Sequence, residues 1–237
     1  MISAMINGER RAPVSKGERT TCEGCRGSLH AVFPQFKASH WRHEKGDCDP
    51  WSEPESDWHR EWKALFPLEF CEVFLRDPVS QELHRADIRC PRDNGKGVVL
   101  ELQHSSISEE ERDSRERFYT LENRMFWLLN MDRTSSLSFN FGISISFDET
   151  TAIMLHGHKF YPMTWMGRGT ILDKWKHSNA HVFLNRGPFV YYLATNASCR
   201  ALVASQAMGE FALAKLTTRA FLQAVTGGDL THSINVQ

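Results

Sequence analysis

The 237-residue chain lacks long apolar runs; the longest are Met125 to Leu129 and Phe189 to Ala194. A membrane-spanning helix needs about 20 apolar residues, so none is expected. The first 20 residues carry Arg10, Arg11, Lys16 and Arg19 but no apolar stretch. No secretory signal is read there, and a soluble, cytoplasmic protein is expected. An excess of one charge is missing as well: 28 Lys plus Arg stand against 29 Asp plus Glu, a net charge of −1. No global field therefore draws in nucleic acid, and such a partner has to be argued from local sites. Internal repeats are absent. Residues 21–50 are short of apolar side chains, so something other than a hydrophobic core must hold them.

What that segment does have is cysteine and histidine. Three of the six cysteines, Cys22, Cys25 and Cys48, fall in it, with His40 and His43. Cys71, Cys90 and Cys199 are isolated and read as small buried residues. Thiolate and imidazole donors favour zinc, and a closed structural site takes four of them. Cys22-x2-Cys25 with His40-x2-His43 supplies four, and Cys48 is the alternative ligand. The site is read as structural zinc.

The rest of the chain patterns as a mixed α/β protein. Residues 1–20 read as a loose tail, 21–50 as a zinc-finger-like element, 51–132 as a core, and 133–237 as a strand-rich extension. Ser52 followed by Glu55 is a capping box for a helix running to Phe66, before Pro67. Glu55, His59 and Lys63 recur at i, i+4 and i+8, so they line one side of it. Strands are expected over Leu83–Arg89 and Val98–Gln103. Period two places Glu101 and Gln103 on one face and Leu100 and Leu102 on the other. Ser108 with Glu111 starts a second helix, whose Arg115 and Tyr119 share a stripe. Met125–Leu129 reads as a strand buried on both faces. Phe139, Phe141, Ile143 and Ile145 alternate like a strand, Asn185-Arg186-Gly187-Pro188 reads as a hairpin turn, and 208–225 reads as a closing helix.

Asp87, Glu101 and Glu55 form the second chemical constellation. Carboxylates on adjacent strands repel each other unless a cation joins them. A few hard oxygen donors suit magnesium or manganese, completed by water and a phosphate. Such an ion activates water against a phosphodiester.

From Cys22 to Leu129 the chain resembles the competence protein CoiA-like family of the PD-(D/E)XK nuclease superfamily. The resemblance rests on the paired cysteines and on His40-Trp41-Arg42-His43. It continues through Glu55-Ser56-x2-His59-x3-Lys63, Arg85-Ala86-Asp87-Ile88, Leu100-Glu101-Leu102-Gln103-His104-Ser105-Ser106-Ile107-Ser108 and Arg115-x3-Tyr119, and ends in Met125-Phe126-Trp127-Leu128-Leu129. It implies a restriction-endonuclease-like core of mixed sheet and helices, with Asp87 and Glu101 binding Mg2+ or Mn2+ and Glu55 in support. Gln103 stands where the superfamily usually has a lysine. A glutamine orients water but carries no charge, so Lys63 is the candidate to supply it. His59 is a candidate for proton transfer or for orienting Glu55. Arg115 and Arg85 are candidates to contact DNA, Arg115 alternatively to buttress the carboxylates. The implied function is a metal-dependent deoxyribonuclease acting on incoming DNA, in transformation or anti-phage defence. The alternative is an inactive nucleic-acid-binding or protein-interaction subunit of a larger complex.

Overall fold

The structure, a computed structural model, describes residues 1–93, 95–132, 136–155, 157–167, 171–195 and 209–227. The chain divides into two compact units, Met1–Arg89 and Cys90–Gln237. The expected boundaries near residues 20, 50 and 132 are not where it divides.

The first unit opens with a hairpin where a loose tail was expected. β1 (Ala4–Ile6) pairs antiparallel with β2 (Glu9–Arg11). Asn7 and Gly8 between them both have positive φ, 52° and 85°, as a two-residue hairpin turn requires. The hairpin is tied down: Thr20 Oγ1 donates to Met5 O at 2.7 Å, and Trp41 Nε1 donates to Arg11 O at 3.0 Å. A three-stranded antiparallel sheet follows, of β3 (Arg19–Thr21), β4 (Ser28–Val32) and β5 (His40–His43). Ala4, Cys22, Leu29 and Trp41 make a small core, with Phe74 packed against it. Gly24 is required there, since a Cβ would lie 2.4 Å from the Phe74 ring.

Helix α1 spans Asp57–Lys63, shorter than the expected 52–66. Its cap is Ser56, whose Oγ accepts His59 N–H at 3.4 Å. Ser52 is unavailable because Ser52 N and Trp51 N both bond Asp49, to its backbone oxygen and to Oδ1. A 3-10 turn at Leu68–Phe70 then leads into β6 (Cys71–Arg76), antiparallel to β7 (Leu83–Cys90). The register pairs Cys71 with Ile88 and Val73 with Ala86, so Glu72 and Asp87 occupy the opposed positions between them.

The second unit holds a large mixed sheet. β8 (Gly97–Gln103) runs parallel to β9 (Asn123–Asn130), which runs parallel to β12 (His181–Arg186). From β12 the sheet continues antiparallel through β13 (Phe189–Leu193), β14 (Glu210–Thr217), β11 (His158–Thr164) and β10 (Ile153–Leu155). The strands past residue 133 therefore extend the same sheet and are no appended region. Helix α2 (Glu109–Thr120) is the crossover between β8 and β9, and Ser108 caps it by accepting Glu111 N–H at 3.0 Å. β9 lies between two parallel neighbours, which explains why Met125–Leu129 is apolar on both faces. The hairpin at Asn185–Pro188 forms as expected.

Two expectations fail here. Residues 139–145 do not form a strand: α3 (Ser136–Ser144) is a helix. Its Phe139 and Ile143, four apart, share an exposed side, while Phe141 is buried. The closing helix starts later than residue 208. Phe211–Ala214 are buried in β14 between β11 and β13, and only Thr218–Thr226 form the closing helix, capped by Thr217. Alanine favours helix, but a slot between two strands overrides that propensity. No helix among the described residues is long and apolar enough to cross a membrane. Cys199 lies outside the described residues.

Candidate functional site

Two clusters in the first unit carry chemistry. In one, a tight turn after β3 presents Cys22 and Cys25. Cys22 N donates to Gly27 O at 2.8 Å, and Arg26 N donates to Cys22 O at 3.0 Å. Gly27 N donates to Cys25 Sγ at 3.3 Å. His43 at the end of β5 and Cys48 beyond the next turn complete the group. Sγ of Cys22 and Cys48 are 3.9 Å apart, Cys25 Sγ is 3.5 Å from His43 Nε2, and all four donor atoms lie within 4.8 Å of one another. Sulfurs bound tetrahedrally to one zinc would be about 3.8 Å apart, so this Cys3His group could hold a zinc ion.

Its electrostatics fit a cation. Burial pushes the Cys22 and Cys48 thiols up, so without a cation they stay protonated. Burial also acts on Cys25, but the Gly27 N–H and the neighbouring thiols bring it below the ordinary thiol value. Burial lowers His43, keeping the imidazole neutral as a ligand must be. Asp47 Oδ1 lies 3.9 Å from His43 Nδ1, on the side away from the sulfurs.

His40, expected as a ligand, is replaced by Cys48. Residues 40 and 43 on one strand point to opposite faces. His43 is buried with the sulfurs, while His40 Nδ1 sits 3.1 Å from Ala38 O.

The second cluster centres on Lys63, buried at the end of α1. Its Nζ is 3.0 Å from Glu55 Oε2, 3.0 Å from Asp87 Oδ1 and 3.5 Å from Glu72 Oε1. Burial alone would lower the ammonium's pKa, but Asp87, Glu72 and Glu55 together raise it. Burial likewise opposes the Glu72 carboxylate, yet Lys63 and the backbone N–H of Ile2 hold it down to about 2. Ile2 N and Ser3 N donate to Glu72 Oε2 at 2.7 and 3.3 Å. These bonds support the left-handed φ of 54° at Glu72, a conformation unfavourable for a side chain with a Cβ. The N-terminal amine and Arg85 also act on Glu72 and help hold it ionised. Glu55 Oε1 is buried and accepts no hydrogen bond among the described residues. That oxygen is left as an unused acceptor beside Lys63.

The remaining expected site residues have definite partners. His59 closes the α1 cap: its Nδ1 accepts Ser56 N–H at 3.3 Å, and its Nε2 lies 3.7 Å from Glu53. Arg85 donates to Asp47 at 3.1 Å and stacks over Phe74, so it braces the metal loop and is not open to phosphate. In the second unit Arg115 is buried, donating to Glu101 Oε2 at 3.2 Å and to Glu111 Oε1 at 3.1 Å. It buttresses carboxylates, and the DNA-contact alternative loses its basis. Gln103 Nε2 donates to Ser105 O at 2.8 Å, using its amide to hold the turn into α2.

Sequence reasoning missed Glu72, Asp49 and His84. His84 Nδ1 is 2.9 Å from Asp49 Oδ1 and its Nε2 is 2.8 Å from Glu82, with Trp51 stacked on the ring. Asp49 Oδ2 also accepts Arg85 N–H at 2.6 Å. An acidic residue in the otherwise apolar Leu68–Leu75 segment was the available signal for Glu72. None marked Asp49 beyond its place next to Cys48. Compared with protein-family models, with curated proteins and with solved structures, the chain finds no match.

Proposed function

We propose that the protein is a divalent-metal-dependent nuclease acting on DNA, with a structural zinc at Cys22, Cys25, His43 and Cys48. The observation that supports it is the Lys63 cluster. Glu55 on the approach to α1 and Asp87 on β7, both singled out from the sequence, each lie within salt-bridge distance of Lys63. A buried lysine beside a carboxylate with an unused oxygen is a poor structural solution, since an apolar group would fill the same space at lower cost. It is a sound solution for phosphodiester hydrolysis. Asp87 and Glu55 offer oxygen donors to Mg2+ or Mn2+. When bound, the ion lowers the pKa of water and offsets phosphate charge. Lys63 supplies the positive charge that Gln103 lacks, placed to stabilise an oxyanion. Gln103 keeps the β8–α2 turn in shape.

The test incubates the full-length chain with single- and double-stranded DNA, in magnesium, manganese or neither. Cleavage that needs the ion and falls at least 100-fold in Asp87→Ala and Lys63→Ala, with zinc content unchanged, is expected. Equal rates in wild type and Asp87→Ala would sink the enzyme reading. The rival, an inactive binding subunit, gains its one support from Gln103 Nε2 donating to Ser105 O.

A further inference from the structure

The small sheet that carries two of the four metal-donor residues at its ends has a second face. Strand register sets Arg19 directly across from His30, and His30 directly across from Arg42. Strands lie about 4.8 Å apart, so the three side chains form a row roughly 10 Å long across the sheet. The alternation that buries Leu29, Trp41 and His43 turns this row outward. His40 shares the outward side of β5 with Arg42, two residues away. The Arg19 side chain is 71 % exposed, with Glu44 as its ion-pair partner. Arg42 forms no ion pair among the described residues, and its guanidinium lies 3.4 Å from His30 Nε2.

Other arginines of this unit are held by carboxylates, as Arg19 is by Glu44. Arg10 is paired with Glu23, Arg11 with Glu18, and Arg85 with Asp47. Arg42 Nε donates to His30 Nε2 and Arg19 pairs with Glu44, and both guanidinium groups stay exposed. The loop from β4 to β5 adds Phe36, 89 % exposed, and exposed Lys37. A bare aromatic ring next to a cation, at the tip of a cationic face, is the combination that binds unpaired bases and their phosphates.

We propose that the outward face of β3, β4 and β5, with Phe36, docks single-stranded DNA. Arg19 and Arg42 take backbone phosphates, and Phe36 stacks on a base. The choice of a polynucleotide as occupant rests on the nuclease reading. The charge complementarity stands apart from it. A duplex buries its base faces and leaves Phe36 nothing to stack on, which sets single strands above double.

The test uses the full-length chain with Asp87→Asn, so that the probe is not consumed, and no added magnesium or manganese. A fluorescent 20-nucleotide single strand is titrated by anisotropy at several salt concentrations. Arg19→Ala with Arg42→Ala should weaken binding about tenfold or more. It should also lower the slope of log K against log salt by roughly 1.4, two phosphates' worth for a single strand. Phe36→Ala should weaken binding by about tenfold with the slope unchanged. Arg19→Lys with Arg42→Lys should keep most of the affinity and the slope, and zinc content should be equal in all variants. Unchanged affinity and slope in the alanine pair would overturn the proposal. So would tighter binding to a duplex, or to phosphatidylserine vesicles, that the same arginines control. Cleavage by the unsubstituted chain is scored separately. Intact docking without cleavage removes the nuclease reading alone, and cleavage with docking indifferent to the arginines removes this one alone.

Discussion

At the scale of single residues, parity along a strand decided what spacing could not. Cys22, Cys25 and His43 are legible because thiols and an imidazole in an apolar-poor segment have few other uses. The fourth donor is not legible, since His40 and Cys48 are both near His43 in sequence. Only knowing that 40–43 is a strand turns His40 away. His40→Ala should therefore retain one zinc per chain, and Cys48→Ala should lose it, as metal analysis after gel filtration will show. Lys63 gives a second prediction. Its removal leaves buried Glu72 and half-buried Asp87 without their ammonium partner, so Lys63→Ala should cost about 3 kcal/mol in urea unfolding. Lys63→Ala combined with Glu72→Gln should cost less than the separate effects summed, because they share one network. The same network sets an acid limit. Glu72 is held near 2 in the folded chain, below its ordinary value, so its contribution is present above about pH 4.5 and fades as pH falls toward 2. The amount is on the order of 3 kcal/mol. The urea midpoint should drop between pH 5 and pH 2.5, and less steeply in Glu72→Gln.

Elements show why some boundaries were readable and others were not. Ser108 marks α2 because nothing else competes for it. Ser52 fails because Asp49, fixed by His84 and Arg85 from a distant strand, captures the backbone around it. Residues 210–217 are locally helix-like and become β14 because two strands wait on either side. The Asn7-Gly8 pair was a hairpin signal, hidden because the strands flanking it are only three residues each and the second is wholly charged. The loop carrying Cys48 is an element in its own right, clamped on both sides of the ligand by Asp47 to Arg85 and Asp49 to His84. Zinc removal should thus reach β7. Hydrogen exchange at residues 84–86 should speed up on chelation, together with residues 21–50, and Asp49→Ala should mimic part of this with zinc still bound. Exchange at 84–86 indifferent to both would mean that the clamp is only a surface pairing.

For the whole molecule, the mixed α/β class was readable from capped helices alternating with apolar strands, whereas its division was not. Composition changes near residues 50 and 132, but β9 to β12 pairing carries the second sheet straight across 132, and nothing local to either strand announces a parallel partner 50 residues away. The two units also hold themselves together by different means. The first has a small core of Ala4, Cys22, Leu29 and Trp41 in which a metal donor is itself a core residue. The second has a wide aromatic core, with Trp127 against Trp175 and Phe183 against Phe221, and no Cys/His cluster of metal-ligand spacing among its described residues. A domain with that much buried aromatic surface needs no metal, while one so small generally does. Chelation should then abolish the buried-tryptophan signal of Trp41 and leave the near-ultraviolet circular dichroism of the Trp127–Trp175 pair. Trp41→Phe separates the two: the fluorescence change on chelation should shrink in that variant, and the dichroism should persist in both. Loss of the Trp127–Trp175 signal on zinc removal would show that the second unit depends on the metal after all, and that its aromatic core is not sufficient.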